Sequence, residues 1–381
     1  MYSVASYGQM IADAPRMDAY VTALRRAVKP DSVVIDLGCG PGLFALLACQ
    51  MGARRVYAID PDNVIEVARQ AAIANGYEDR IVCVQEYSTS ATLPEKADII
   101  ISDLRGVLPW FQKHIPAVVD ARQRLLKPGG VQIPHKDFLW AVMAEVPEEY
   151  VKIAGPWEQN SYGLDLSSAR TFVTNSWRKV RVKPEQFVTE PLQYCVLDYK
   201  EIENPDFAAD LCWNASRSGI AHGFVVWFDS ELSEGVGFSN RPGEAELIYG
   251  HAFFPLQEPV QLRTDDRIVV RLSADLIESD YVWRWSTQVF SPRDSEPRVD
   301  FKQSSFFGTP LSAMQLQKRA DSFRPNLSEE GRATAEALAL MNGEVSLEQI
   351  AERLAKDFPE RYQANQAAFN EAAELSLKYS Q

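Results

Sequence analysis

Three glycines at alternate positions follow an apolar, β-branched run in Val33-Val34-Ile35-Asp36-Leu37-Gly38-Cys39-Gly40-Pro41-Gly42. Glycines placed after a strand let the backbone turn sharply and approach a ligand closely. The dinucleotide fingerprint GxGxxG would need glycine at position 43, where this chain has Leu43. Asp36 stands two residues before the first glycine, where it would repel a pyrophosphate and attract a ligand carrying a sulfonium and an ammonium. S-adenosylmethionine is such a ligand. Asp60 ends the run RVYAID 18 residues beyond Gly42, the place for an acid that accepts both ribose hydroxyls. An NAD-type site, and a turn whose glycines serve packing alone, are the other readings of this loop.

The elements that must position these groups are legible as periods. Residues 8–28 carry helical spacing through Met10, Ile11, Tyr20, Leu24 and Val28. Strand-like runs follow at 32–36, 55–60, 80–85, 97–103 and 131–133, with helical stretches at 43–52, 63–76 and 118–126. That alternation predicts an α/β fold, a doubly wound Rossmann-like parallel sheet. Asp103 ends the fourth strand, where ligands bind in open α/β sheets. After about residue 138 the runs FVVW, IVVRL and YVWRW recur between turns, predicting an antiparallel β-barrel or sandwich. Trp283 and Trp285 alternate on one strand and read as core. From about residue 321 the chain is helical in pattern, with a capping box at Ser346–Gln349 and a stop at Gly343. The domain expectation is 1–137, 138–315 and 321–381.

Of 381 residues, 46% are hydrophobic and 24% charged, the balance of a globular protein with a large core. No run of 18 apolar residues occurs, which argues against a membrane span, and the first residues lack the pattern of a secretory signal. Five scattered cysteines read as reduced thiols in a cytoplasmic protein, and four histidines show no metal-ligand spacing. Net charge is −13, a poor fit to nucleic acid and an easier one to a cationic partner. The last 61 residues hold 11 acids against 6 bases, which argues against DNA reading by that segment.

Taken in order, several segments resemble the protein arginine methyltransferase family and its shorter, divergent bacterial relatives. They are Tyr7–Arg16, Asp36–Gly42, Ser102–Gly106, Ser161–Asp165, Ala221–Phe228 and Gly237–Ser239. The resemblance implies an S-adenosyl-L-methionine-dependent N-methyltransferase and a homodimer. Its acceptor would be an arginine-like group on a protein, peptide or small molecule. It also implies that Arg16 holds the cofactor's carboxylate, a contact suited to a guanidinium fork. Asp36, Gly38, Gly40 and Gly42 would line its methionine and ribose side, Asp60 would take the ribose, and the backbone at Ser88 the adenine. A dimerisation arm would lie near 167–191, with Phe172, Val173, Trp177 and Phe187 as its apolar contacts.

Several positions depart from the family pattern. Thr89 stands where the family places an acid for the adenine amine. The acceptor loop's first glutamate is here Asp103, and nine residues on its second is Gln112, so paired carboxylates for a guanidinium are lost on one side. Arg105 adds a positive charge nearby. The family's Thr-His-Trp loop becomes Leu247-Ile248-Tyr249, and His251, three positions on, reads as structural. Trp110 and Phe111 would either wall the acceptor pocket or pack the sheet. These departures keep open a scaffold that binds cofactor without turnover and a methyltransferase for a neutral acceptor. A nucleotide-dependent oxidoreductase is disfavoured by Leu43 and Asp36. In the tail, Leu340–Gly343 through Ile350–Ala351 resembles small winged-helix modules that bind precursor peptides; a helical extension is the other reading.

Overall fold

The computed structural model describes residues 3–159 and 162–380; Ser161 of the quoted segments lies outside the described residues. The helical stretch expected at 8–28 is two helices, α1 (Val4–Ala12) and α2 (Ala14–Ala27). They break at Asp13 because Pro15 cannot continue α1 but suits the first turn of α2.

Five parallel strands follow: β1 (Val33–Leu37), β2 (Arg55–Ile59), β3 (Ile81–Val84), β4 (Ala97–Ser102) and β5 (Leu126–Ile133). Their spatial order is β3-β2-β1-β4-β5, with helices α3 (Leu43–Gln50), α4 (Ile65–Ala74) and α5 (His114–Asp120) between them. All five residues of β1 are buried, which is why its sequence is continuously apolar except at Asp36. The helix expected at 118–126 begins earlier, at His114, and ends in a wider π turn over Ala121–Leu125. Lys127–Gly130, whose Pro-Gly-Gly composition suits a turn, belongs to β5: a register shift against β4 between Ala97 and Ile99 absorbs Pro128, which has no N–H to give.

The antiparallel part begins at β6 (Lys136–Ala144), followed by α6 (Pro147–Glu158) and α7 (Arg170–Thr174). Then come β7 (Arg178–Val180), β8 (Leu192–Asp198), β9 (Phe207–Asn214), β10 (Gly219–Ser233), β11 (Val236–Ser239), β12 (His251–Leu262), β13 (Arg267–Ile277), β14 (Asp280–Phe290) and β15 (Val299–Ser304). One sheet runs β7-β12-β10-β6-β8, with β11 on β10; the other runs β15-β14-β13-β9. Their inner faces share one core, in which Phe254 packs between Phe224, Trp283 and Trp285. Both tryptophans are buried there, at 1% and 0% exposure.

Trp177 and Phe187, expected on the arm, pack inward instead: they stack on Phe254 and Trp227, because Trp177 leads directly into β7 and Phe187 bridges Ala144 of β6. Exposed apolar side chains of this region lie earlier, among them Trp157, Leu166 and Phe172.

Residues 1–310 form one compact unit and 311–381 a second. The second holds α8 (Ala313–Lys318), α9 (Glu329–Leu340), α10 (Leu347–Asp357) and α11 (Asn365–Tyr379). The expected capping box at Ser346 and Gln349 opens α10. Its core is small: Ala333, Ala337, Ile350, Ala351, Leu354, Tyr362, Ala368 and Ala372. No strand occurs among its described residues, so the wing of a winged-helix module is missing.

Candidate active site

The glycine turn after β1 is built from three positive φ values, 70° at Gly38, 50° at Gly40 and 80° at Gly42. A Cβ on Gly40 would come within 2.6 Å of the Tyr7 ring, so α1 lies directly against this turn. Gly40 N–H donates to Asp60 Oδ2 at 2.9 Å, and Asp62 N–H donates to Asp60 Oδ1 at 2.9 Å. The cradle's backbone is therefore tied to the Asp60 carboxylate. Asp36 is 1% exposed; its Oδ2 accepts from Ala45 N–H at 2.9 Å, while its buried Oδ1 has no partner. Burial, against the Ala45 bond and with the Asp60 charge, pushes the Asp36 carboxyl up to about 7. Burial also raises Asp60. A buried carboxylate with an unused oxygen is costly by itself and is relieved by a cationic ligand group. Ser88, half-buried beyond β3, gives its carbonyl to Arg124 at 2.6 Å.

Asp103 leaves the C-terminal end of β4 and meets four donors. Arg16 donates from Nε at 2.8 Å and Nη2 at 2.5 Å, the Tyr249 hydroxyl donates at 2.6 Å, and Arg105 Nε donates to the other oxygen at 3.1 Å. Burial would raise the Asp103 carboxyl, but the two guanidinium groups and the Tyr249 hydroxyl override it and hold it at about 2. Asp103 is therefore an ionised acceptor of hydrogen bonds at neutral pH, not a proton store. Arg16 is positioned by the aromatic faces of Tyr20 at 5.2 Å and Phe44 at 5.8 Å.

Arg105 extends the cluster into the antiparallel sheet. Its Nη1 donates to Asp137 at 2.5 Å and Ser230 at 2.7 Å, and its Nη2 to the Tyr20 hydroxyl at 2.6 Å. Asp137 on β6 and Ser230 on β10 face one another in register. Asp137 also accepts from the Tyr199 hydroxyl at 2.6 Å. Tyr249, Asp137, Tyr20 and Tyr199 were not singled out as site residues from the sequence. The available signals were a phenol in the Leu247-Ile248-Tyr249 loop and an acid opening the apolar run of β6.

The other expected site residues lie as follows. Gln112 is exposed, with φ +45°, and no hydrogen bond joins it to Asp103. Trp110 is buried against Phe207 and Trp283, at centroid distances of 4.3 and 6.1 Å, and so packs the fold. His251 is buried at the start of β12, where its Nδ1 accepts from Val182 N–H at 3.2 Å and burial lowers it to about 4. Ile248, at the missing histidine's place, donates its backbone N–H to Asp13 at 2.7 Å and leaves the second Asp13 oxygen buried without a partner.

Residues 18–133 match the family model described as ribosomal protein L11 methyltransferase (PrmA), and 139–287 match the arginine methyltransferase oligomerization subdomain. Protein arginine N-methyltransferase 1 of Dictyostelium discoideum is 31% identical over 242 residues, covering 61% of this chain and 71% of the relative. Probable protein arginine N-methyltransferase 6 of Arabidopsis thaliana is 29% identical over 239 residues, covering 60% of this chain. The chain matches 55% of that relative's length. The fold is similar to the Trypanosoma brucei PRMT1 enzyme-prozyme heterotetrameric complex with AdoHcy, with a TM-score of 0.70 and 24% identity over 78% of this chain and 96% of that one.

Proposed function

Because the chain belongs to the protein arginine N-methyltransferase family, we propose that its β1–β4 centre transfers a methyl group from S-adenosylmethionine to a nitrogen of an arginine-like acceptor. The acceptor is carried on a protein, a peptide or a small molecule. The observation that carries this reading is the unpartnered, buried oxygen of Asp36 beneath a glycine cradle that also binds Asp60. A cationic amino-acid moiety would satisfy Asp36, the Asp60 carboxylate can still accept ribose hydroxyls, and the backbone at Ser88 would take the adenine. Arg16 can pair with the cofactor's carboxylate while keeping one bond to Asp103.

When bound, the cofactor supplies a methyl on a positive sulfonium; the new N–C bond forms as the S–C bond breaks to a thioether, and the nitrogen's proton leaves to solvent. This chain's residues contribute position more than proton transfer. Asp103 accepts acceptor N–H bonds and turns the lone pair toward the methyl group. Gln112, on the exposed loop, offers an amide rather than a second charge.

Trp157, Leu166 and Phe172 form the contact through which the chain pairs as a homodimer. No helix among the described residues is long and apolar enough to cross a membrane. The five cysteines are all free, which suits the reducing cytoplasm. Calorimetry with S-adenosylhomocysteine, and mass spectrometry of arginine and arginine peptides after incubation with a deuterated methyl donor, test the reading. Absence of cofactor binding would reject it, as would methyl transfer only to acceptors without a guanidine-like group.

A further inference from the structure

Beside the acceptor loop, outside the glycine cradle, lies a hollow of about 370 Å3. Phe111 forms one wall. A Cβ on Gly106 would come within 2.9 Å of the Phe111 ring, so this wall rests on the loop that begins at Asp103. Three residues of chain span at most roughly 11 Å, which bounds the distance from Asp103 to Gly106. The floor is Trp110 and Trp283, 3% and 1% exposed, with ring planes at 90° and centroids 6.1 Å apart. Trp177 and Phe306 line the sides, and Phe306 is 54% exposed, so the hollow opens to solvent. Asp280, which opens β14, is the one charged residue lining it among the described residues. Its Oδ1 accepts from Tyr281 N–H at 2.8 Å, and among the described residues it has no ion-pair partner.

Charge selects the occupant. An apolar group would cover Asp280 and strip it of water without offering a donor. An anion would be repelled by the carboxylate and by the negative faces of the rings. A cation on an alkyl stem gains from both, because its head is attracted to carboxylate and ring faces while its methylenes cover apolar surface. The volume is at the lower end for a ligand site and is more than a lone ammonium needs, so a whole side chain suits it. The net charge of −13 draws such a group in from a distance. Gln112, next to Phe111, leaves the acceptor loop one carboxylate short, and binding a remote part of the acceptor offsets that weakness.

We propose that this hollow is a docking subsite for a basic side chain that flanks the arginine-like group on a polypeptide acceptor. An extended peptide covers the same roughly 11 Å in three residues, so the flanking residue and the reacting group can be held at once. The inference rests on the arginine-like reading above and adds that the acceptor is a polypeptide with a second cation.

The test uses the full chain, labelled S-adenosylmethionine and synthetic peptides with a single arginine. Each flanking position in turn carries lysine or its uncharged analogue norleucine. At a defined flanking position the wild type should favour lysine by about tenfold in kcat/KM, through KM rather than kcat. Asp280→Asn keeps the oxygen that accepts from Tyr281 N–H and should cut that preference to about threefold. Phe306→Leu, which keeps an apolar side chain and removes the ring, should cut it likewise. Neither variant should change turnover of acetyl-arginine methylamide, which has no second cation. Equal rates for lysine and norleucine at every position would overturn the subsite and leave the arginine-like reading standing. So would a preference that either variant leaves intact, or methylation of free arginine but of no peptide. Methylation of no arginine compound, with S-adenosylhomocysteine still bound, would overturn the arginine-like reading and this proposal together.

Discussion

Replacing Asp103 with asparagine keeps the size of the side chain and removes its charge. The carboxylate receives two bonds from Arg16, one from Tyr249 and one from Arg105, and an amide has only one oxygen with which to accept them. Arg105 keeps Asp137, so the group left without a counter-charge is Arg16, which is 5% exposed. Removing one partner of a buried ion pair costs roughly 3–5 kcal/mol. The faces of Tyr20 and Phe44 return about 1 kcal/mol of that. We therefore expect Asp103→Asn to lower unfolding free energy by about 3 kcal/mol at neutral pH. Urea unfolding of both proteins reads this as a lower midpoint with an unchanged slope. Because the folded-state pKa is depressed from 3.8 to about 2, the stabilisation is present above 3.8 and is lost as pH falls through about 2. The two proteins should therefore converge in that window. A loss under about 1 kcal/mol at neutral pH would refute the dependence of Arg16 on Asp103. Turnover should be lost in the same variant.

Asp36 sits at about 7 rather than 3.8, so its protonated form predominates below about 7, whereas a ligand ammonium favours the ionised form. Affinity for S-adenosylhomocysteine should fall as pH drops through that value, with a proton released on binding. A calorimetric enthalpy independent of buffer just below that pH would contradict this. Asp60→Ala should weaken S-adenosylhomocysteine by roughly 2 kcal/mol, since ribose hydroxyls lose an ionised acceptor; equal dissociation constants would misplace the ribose. Phe172→Glu should convert a dimer to a monomer at micromolar concentration, because it sets a charge in an apolar contact. Sedimentation that finds wild type already monomeric would rule out the interface.

The parallel sheet and the cofactor cradle could be read from the chain because they are local. Asp36 and the three glycines fall within seven consecutive residues, and strand β1 is otherwise apolar because both its faces are covered. The end of β4 was equally plain, so Asp103 could be placed at the mouth of the sheet before its partners were known. Helix α10 carried its own start in the Ser346–Gln349 pair. Register hid one element: Lys127–Gly130 has turn composition, yet pairing with β4 draws it into β5.

What surrounds Asp103 was decided by tertiary structure. Arg16 is 87 residues away, Tyr249 146, and Arg105 reaches Ser230 across 125. No local period encodes such pairs; they exist because the β6–β10 sheet packs its Asp137–Ser230 rung against the ends of α2 and β4. Sequence alone showed Arg105 as an added positive charge, and the fold pairs that charge with Asp137 while its Nε reaches Asp103. The same holds for Trp177 and Phe187, whose apolar character was visible at once. Whether they met a partner or their own barrel depended on where β7 joined the sheet beside Trp177 and on the bridge from Phe187 to Ala144, since side-chain direction follows from pairing.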